Sequence, residues 1–406
     1  MFIERHMSVA LQEMRRSFPV VLVTGSRQVG KTTLLRNELK GMSYFTFDDY
    51  ILLDSVKEDA IGFIRANDPP LIIDEVQYAP ELMRVIKMRA DESGKSGEYF
   101  LTGSQQFQMM KNVSESLAGR IGILNLTGLS AREIDGDAFN IPFIPTEGYY
   151  AERQRTITKM NTKALWARIH KGGMPKLHSD RNEKWERYYS AYVKTYIERD
   201  VRALTQVGDE LTFMQFITAC AARTGELLNM AAISRDVGIS EPTAKRWLSI
   251  LQTSDIIHLL QPFSLNITSR VVKMPKIYFM DTGLAAYLCK WLTPETLEKG
   301  AMAGNMFETY AISEIIKSYR NIGREPPIYF YRDADKREID LIMHQDGTLY
   351  PIEIKKTSSP NAADVKHFET LKRFTTLKVA DGGIICTYDK VMHLSGGNRI
   401  IPINYI

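Results

Sequence analysis

The chain has 406 residues, 44% of them hydrophobic and 25% charged, and a formal net charge of +4; this ordinary globular composition is too long for one core and asks for two to four domains. No run approaches the roughly 18 apolar residues of a membrane span, Glu4, Arg5, His6 and Glu13 put charge where a secretory leader is apolar, and Cys220, Cys289 and Cys386 are too scattered for a metal or disulfide framework. A reduced, cytoplasmic setting is expected, and the mild positive charge permits nucleic acid as a partner without arguing for it.

The first signal is GSRQVGKT at residues 25–32. The apolar run Val20–Val23 before it reads as a buried parallel strand, and Thr33–Leu39 after it reads as a helix. A Gly-rich strand-to-helix turn of this kind binds phosphate. Gly25, Ser26, Arg27, Gln28, Val29 and Gly30 would close backbone N–H groups around oxygens at the positive end of the helix, with Thr33 beside them. Lys31 would reach the β and γ phosphates of ATP, and the Thr32 hydroxyl would ligate Mg²⁺. A second apolar run, Leu71–Ile73, ends in Asp74 and Glu75, which suit the Mg²⁺ shell and the orientation of an attacking water. A third, Tyr99–Leu101, leads to Ser104, placed to sense a γ-phosphate. Leu117-Ala118-Gly119-Arg120 precedes a fourth, Ile121–Leu124. Arg120 is either a surface residue at a helix end or a residue offered to a neighbouring subunit's site.

The order VTGSRQVGKTTLL, LIIDEVQ, LTGSQ, SLAGR resembles the AAA+ branch of P-loop ATPases. It is similar to a prokaryotic group in which such an ATPase is fused to a C-terminal domain of unknown function. The resemblance implies a parallel α/β sheet, ATP and Mg²⁺ as cofactors, and a homo-oligomer, such as a ring, with sites at subunit interfaces. The second sensor arginine of many AAA+ proteins has no clear counterpart; Arg199 and Arg202 sit on a helix of the right sort but equally suit a solvated, ion-paired face.

Residues 151–225 read as a mostly helical lid broken at Gly172-Gly173-Met174-Pro175. In residues 226–290, Ile233–Val237 forms a short helix, Gly238 a turn, and Ser240 the cap of a second helix with Ala244, Trp247, Leu248 and Leu251 inward. Two strands, Ile256–Leu260 and Lys276–Met280, complete a pattern that resembles a winged helix. Lys245 and Arg246 would face a major groove, and Arg270, Lys273 and Lys276 of the wing would meet phosphates. The same module also serves to dock proteins.

The last unit, 291–406, carries Glu308 on an amphipathic helix, Asp340 on one strand, and Glu353 with Lys355 on one face of another. Asp340 and Glu353 could share a divalent metal while Lys355 polarises a water. The set Glu308, Asp340, Glu353-Ile354-Lys355 resembles the PD-(D/E)XK restriction-endonuclease-like fold. That resemblance implies Asp340 and Glu353 as metal ligands, Glu308 as an accessory one and Lys355 as the catalytic base, in a fold that either cuts DNA or only binds it.

The expectation is thus an α/β multidomain chain: a parallel-sheet P-loop AAA+ domain at 1–150, a helical lid, a winged helix and a nuclease-like α/β domain. Its expected activity is ATP hydrolysis coupled to work on DNA, with nuclease activity as an addition. The alternative is a nucleotide-dependent switch that docks DNA or a protein without translocation.

Overall fold

A computed structural model describes residues 2–103, 117–158, 160–197, 210–265 and 274–406. Its first sheet is wholly parallel. Val20–Thr24 (β1), Ser43–Thr46 (β2), Leu71–Asp74 (β3), Tyr99–Thr102 (β4) and Ile121–Asn125 (β5) lie in the order β2-β3-β4-β1-β5. Burial on both faces explains the continuous apolar runs. Val20 and Leu22 pack into one layer with Leu71, Ile73 and Leu101. Val21 and Val23 point the other way and pack with Ile72, Phe100 and Leu124. Because the strands run in one direction, the loops that follow them gather along one edge.

The expected helical stretch is present as Thr162–Lys171, Pro175–Ser179, Trp185–Tyr192 and Glu210–Ala221. The glycine break inside it is a close crossing. A Cβ on Gly173 would stand 2.5 Å from the Leu129 carbonyl oxygen, and one on Gly172 would stand 2.5 Å from an Asp281 carboxylate oxygen.

Two short helices then meet at Gly238. Asn229 caps Met230–Val237 by accepting from the Ala232 N–H at 3.0 Å. Gly238, at φ 77°, ends that helix with its N–H on the Ser234 carbonyl. Ser240 caps Glu241–Thr253 by accepting from the Thr243 N–H at 3.3 Å. Ala244, Trp247, Leu248 and Leu251 are buried as the spacing predicts. They pack beside an antiparallel sheet of Glu226–Leu227 (β6), Ile257–Leu260 (β7) and Lys276–Phe279 (β8), in the order β6-β8-β7.

The C-terminal sheet is separate and mixed. It holds Ile328–Arg332 (β9), Glu338–Gln345 (β10), Thr348–Ile354 (β11), Lys378–Val379 (β12), Gly383–Cys386 (β13), Met392–His393 (β14) and Arg399–Pro402 (β15). The order is β14-β15-β13-β11-β10-β9, with β12 paired to β11. The long helix Ala303–Arg320 carries Glu308, but its burial is not the one-sided pattern of the expected amphipathic helix. Fifteen of its 18 residues are buried, so it has no solvent face. One continuous core runs from Phe139 to Ile406 and takes in this helix, the helix pair and both later sheets.

Candidate functional site

The P-loop follows β1 and is shaped by its glycines. Gly25 has φ 142°, and a Cβ there would lie 2.1 Å from the Leu126 carbonyl oxygen, so only glycine fits. Gly30, at φ 96°, turns the chain into the helix Lys31–Glu38. Lys31 is buried, and its Nζ donates to the Gly25 and Ser26 carbonyls at 3.0 and 2.8 Å. Thr32 Oγ1 donates to the Asp74 carboxylate at 2.9–3.0 Å. Asp74, at the end of β3, also accepts from the Tyr44 hydroxyl at 2.8 Å and from Thr102 at the end of β4. Glu75 has left-handed backbone, φ 55°, which costs a side-chain-bearing residue about 1–2 kcal/mol. Its carboxylate accepts a hydrogen bond from the Gln77 amide.

A cleft of about 570 Å³ opens over these groups, a size that suits a small ligand. Arg27, Gln28, Val29, Gly30, Lys31, Thr32, Thr33 and Glu75 line it, together with Phe2, Ile3, Leu129 and Lys176 from outside the motifs. The Thr32 hydroxyl and the Asp74 and Glu75 carboxylates are hard oxygen donors, the chemistry that Mg²⁺ takes.

Sequence reasoning missed what holds the loop in place. Arg5 is buried and uses its whole guanidinium. Nη1 donates to the Val29 carbonyl at 2.7 Å, Nη2 to the Thr127 carbonyl at 2.7 Å and Nε to Glu133 at 2.9 Å. Burial alone would raise the Glu133 pKa, but the Arg5 charge and the Ser130 N–H outweigh it and hold it below the usual carboxylate range. No local pattern marks Arg5, because its partners lie in the P-loop, at Thr127 and on the short helix Ala131–Asp135, all distant in sequence. Gln77 and the cleft-lining Lys176 were also missed; Gln77 stands inside the quoted LIIDEVQ string.

Arg120 lies at the far end of β1, where its carbonyl accepts from the Val20 N–H at 3.2 Å. It is ion-paired with Asp91 and is not part of this chain's own cleft. Ser104, Arg199, Arg202, Arg270 and Lys273 lie outside the described residues.

The C-terminal residues do come together. Between the pairs Ile339–Tyr331 and Ile342–Tyr329, β10 carries two residues where β9 carries one. This bulge holds Asp340 and turns its side chain inward. Asp340 accepts from the Ile354 N–H at 2.9 Å and from Lys355 Nζ at 3.0 Å. Lys355 also pairs with Glu353 at 2.7 Å. Burial, and then the Asp340 charge, push the Glu353 carboxyl up to about 9, so it keeps its proton near neutrality. Burial would raise Asp340 as well, but Lys276 and Lys355 hold it down.

Two expectations need correction here. Lys276 was expected on an exposed wing facing phosphates, yet it is 3% exposed. Its Nζ meets Glu338 at 2.7 Å, Glu308 at 3.1 Å and Asp340 at 4.0 Å. Its strand packs its lysine inward against the neighbouring unit. The second concerns the metal. Among the described residues no three carboxylate, imidazole or thiol side chains are arranged to hold an ion. Glu308, Asp340 and Glu353 face two ammonium groups, so the arrangement does not fit a divalent cation. Of the remaining basic residues, Lys245 and Arg246 are exposed on the helix Glu241–Thr253, as expected.

Among the described residues no helix is long and apolar enough to cross a membrane.

Residues 17–135 match the family described as AAA domain, residues 162–295 a Domain of unknown function (DUF8612), and residues 303–406 a Domain of unknown function (DUF4143). Uncharacterized protein Rv2008c of Mycobacterium tuberculosis and Uncharacterized protein Mb2031c of Mycobacterium bovis are each 30% identical over 364 residues, 89% of this chain and 76% of theirs. The Walker-type ATPase PABY2304 of Pyrococcus abyssi is 16% identical, with 71% of this chain and 96% of that one covered at a TM-score of 0.43. A RuvB structure from Thermotoga maritima is 15% identical, with 62% and 87% covered at 0.31. The chain carries an AAA-type ATPase domain and belongs to the same family as the two mycobacterial proteins.

Proposed function

We propose that this member of the family is a Mg²⁺-dependent ATPase that acts on DNA. The pairing of Thr32 with Asp74 at the floor of the cleft carries the nucleotide half of this reading. The loop's N–H groups and the N-terminus of Lys31–Glu38 would take the phosphates of ATP. Lys31 would exchange its two carbonyl partners for phosphate oxygens. Thr32 and Asp74 would hold Mg²⁺, which when bound neutralises charge developing on the phosphates. Glu75, steadied by Gln77, would orient the attacking water. Arg120, outside its own cleft, would serve the site of a second copy in a homo-oligomer.

The DNA half is supported by Lys245 and Arg246, exposed on the second helix of a capped helix pair. In a winged-helix reading of residues 226–290 that helix lies in a major groove. The convergence of Asp340, Glu353 and Lys355 supports a restriction-endonuclease-like fold for the last unit, and no cleavage step is assigned to it. The test is phosphate release from ATP, alone and with single-stranded, duplex and branched DNA, using Lys31→Ala as blank. Stimulation by one DNA form supports the reading and names the substrate; turnover indifferent to all three removes DNA from it.

A nucleotide-dependent switch is favoured by one further observation. Glu314 accepts from the Ala131 N–H at 2.7 Å, and Lys317 Nζ donates to the Leu129 carbonyl at 3.1 Å. Leu129 lines the cleft, so a nucleotide there would bear on the helix Ala303–Arg320. In that case turnover is slow, and affinity for a partner depends on which nucleotide is bound.

A further inference from the structure

We infer that Lys276 is a built-in cation that stands in place of a divalent metal among Glu308, Glu338 and Asp340, so that the C-terminal carboxylate cluster is closed to metal while β8 is docked against it. Lys276 does not belong to the C-terminal sheet. It comes from β8, an element of the preceding unit, and its ammonium reaches three carboxylates, at 2.7, 3.1 and 4.0 Å. Tyr278, two residues along β8 and so on the same face, donates its hydroxyl to Glu308 at 2.5 Å. One strand thus brings both a positive charge and a hydrogen-bond donor to carboxylates that its own unit does not carry.

The physical need for a cation there is plain. Glu308, Glu338 and Asp340 converge on one point, Glu308 and Asp340 largely shut off from water, and carboxylates so placed require a compensating positive charge. Lys355, on the cluster's own sheet, serves Asp340 and Glu353. Glu308 takes its partners from β8 instead, Lys276 and Tyr278. An ion entering between Glu308 and Asp340 would have to displace the Lys276 ammonium. With that ammonium gone, the oxygens it meets are hard donors of the kind that bind Mg²⁺ and Mn²⁺. The alternative is an ion network that only holds two units together. Removing Lys276 would then weaken the fold and create no affinity for metal.

The experiment is a titration of the nucleotide-free full chain with Mn²⁺, followed by the paramagnetic resonance signal of the free ion. Five proteins are compared: wild type, Asp340→Asn, Lys276→Met, Lys276→Gln and Lys276→Met with Asp340→Asn. We expect Lys276→Met and Lys276→Gln to bind one additional Mn²⁺ about tenfold or more tighter than wild type does. Asp340→Asn in the Lys276→Met background should remove that gain. Either of two results overturns the inference: a folded Lys276 variant with no gain in Mn²⁺, or wild type taking up an ion that is lost on Asp340→Asn. The second result requires no Lys276 variant to fold.

Discussion

Arg5 and Glu133 meet at 2.9 Å beneath the P-loop, although 128 residues separate them in the chain. Both side chains are buried, so each charge depends on the other. Arg5→Met leaves Glu133 buried without its counter-charge and should cost about 3–5 kcal/mol of stability at neutral pH. The sign with pH follows from Glu133. Its folded pKa lies below the ordinary 4.5, so its contribution is present above that value and is lost as pH falls through the folded one. Urea unfolding at pH 7 and at pH 4 should show the gap between wild type and variant shrinking on acidification.

Lys31→Ala should lower ATP turnover by about 100-fold or more while leaving the fold unchanged. The lysine donates to two carbonyls of its own loop, and the loop's shape rests on Gly25 and Arg5 rather than on these bonds. Phosphate release, with thermal unfolding measured in parallel, checks both halves. Undiminished turnover would remove Lys31 from the mechanism.

The double variant Lys245→Ala, Arg246→Ala should weaken DNA binding and flatten its salt dependence. If both residues touch phosphates, the slope of log affinity against log salt should become less steep by roughly 2. Anisotropy of labelled duplex at several salt concentrations measures this. An unchanged slope places the DNA surface elsewhere. Lys276→Met should not change that slope, because Lys276 is buried.

His258 on β7 gives the chain a second acid-sensitive point. Burial, and then the Arg320 charge, push its pKa down from 6.5 to about 3. The folded state therefore keeps it neutral, and protonation favours the unfolded chain. Its contribution is fully present above pH 6.5 and is lost as pH falls toward 3, at up to about 1.4 kcal/mol per pH unit. His258→Gln should flatten the decline in stability between pH 6.5 and 5, as read by denaturant midpoints at half-unit intervals.

The features legible in the sequence were those written locally. The apolar runs that became β1, β3 and β4, the phosphate loop with its helix, and the Asn229 to Leu251 helix pair each carry periodicity, a cap or a turn within a dozen residues. The C-terminal triplet Asp340, Glu353 and Lys355 was also readable, because adjoining strands place it together. Lys276 was misread for the opposite reason. Its strand was found correctly, but which way the side chain faces is decided by Glu308, Glu338 and Asp340, all distant in sequence. The helix Ala303–Arg320 was legible as a helix, but the burial of its polar residues was not: Glu314 and Lys317 are buried against residues 129–131 and Arg320 is buried in a pair with Asp255 at 2.7 Å.

That helix bears on how the protein can be taken apart. The family match for the last segment begins at residue 303, and the helix begins there too. Yet the fifteen buried positions along its roughly 27 Å length draw their cover partly from residues before that border. A fragment starting at 303 would carry a helix stripped of its neighbours and prone to clump, while one ending at 302 would keep an open socket. The segment inherited as a module is therefore not the segment that folds as one. Exchanges between relatives should carry the DUF8612 and DUF4143 stretches across together.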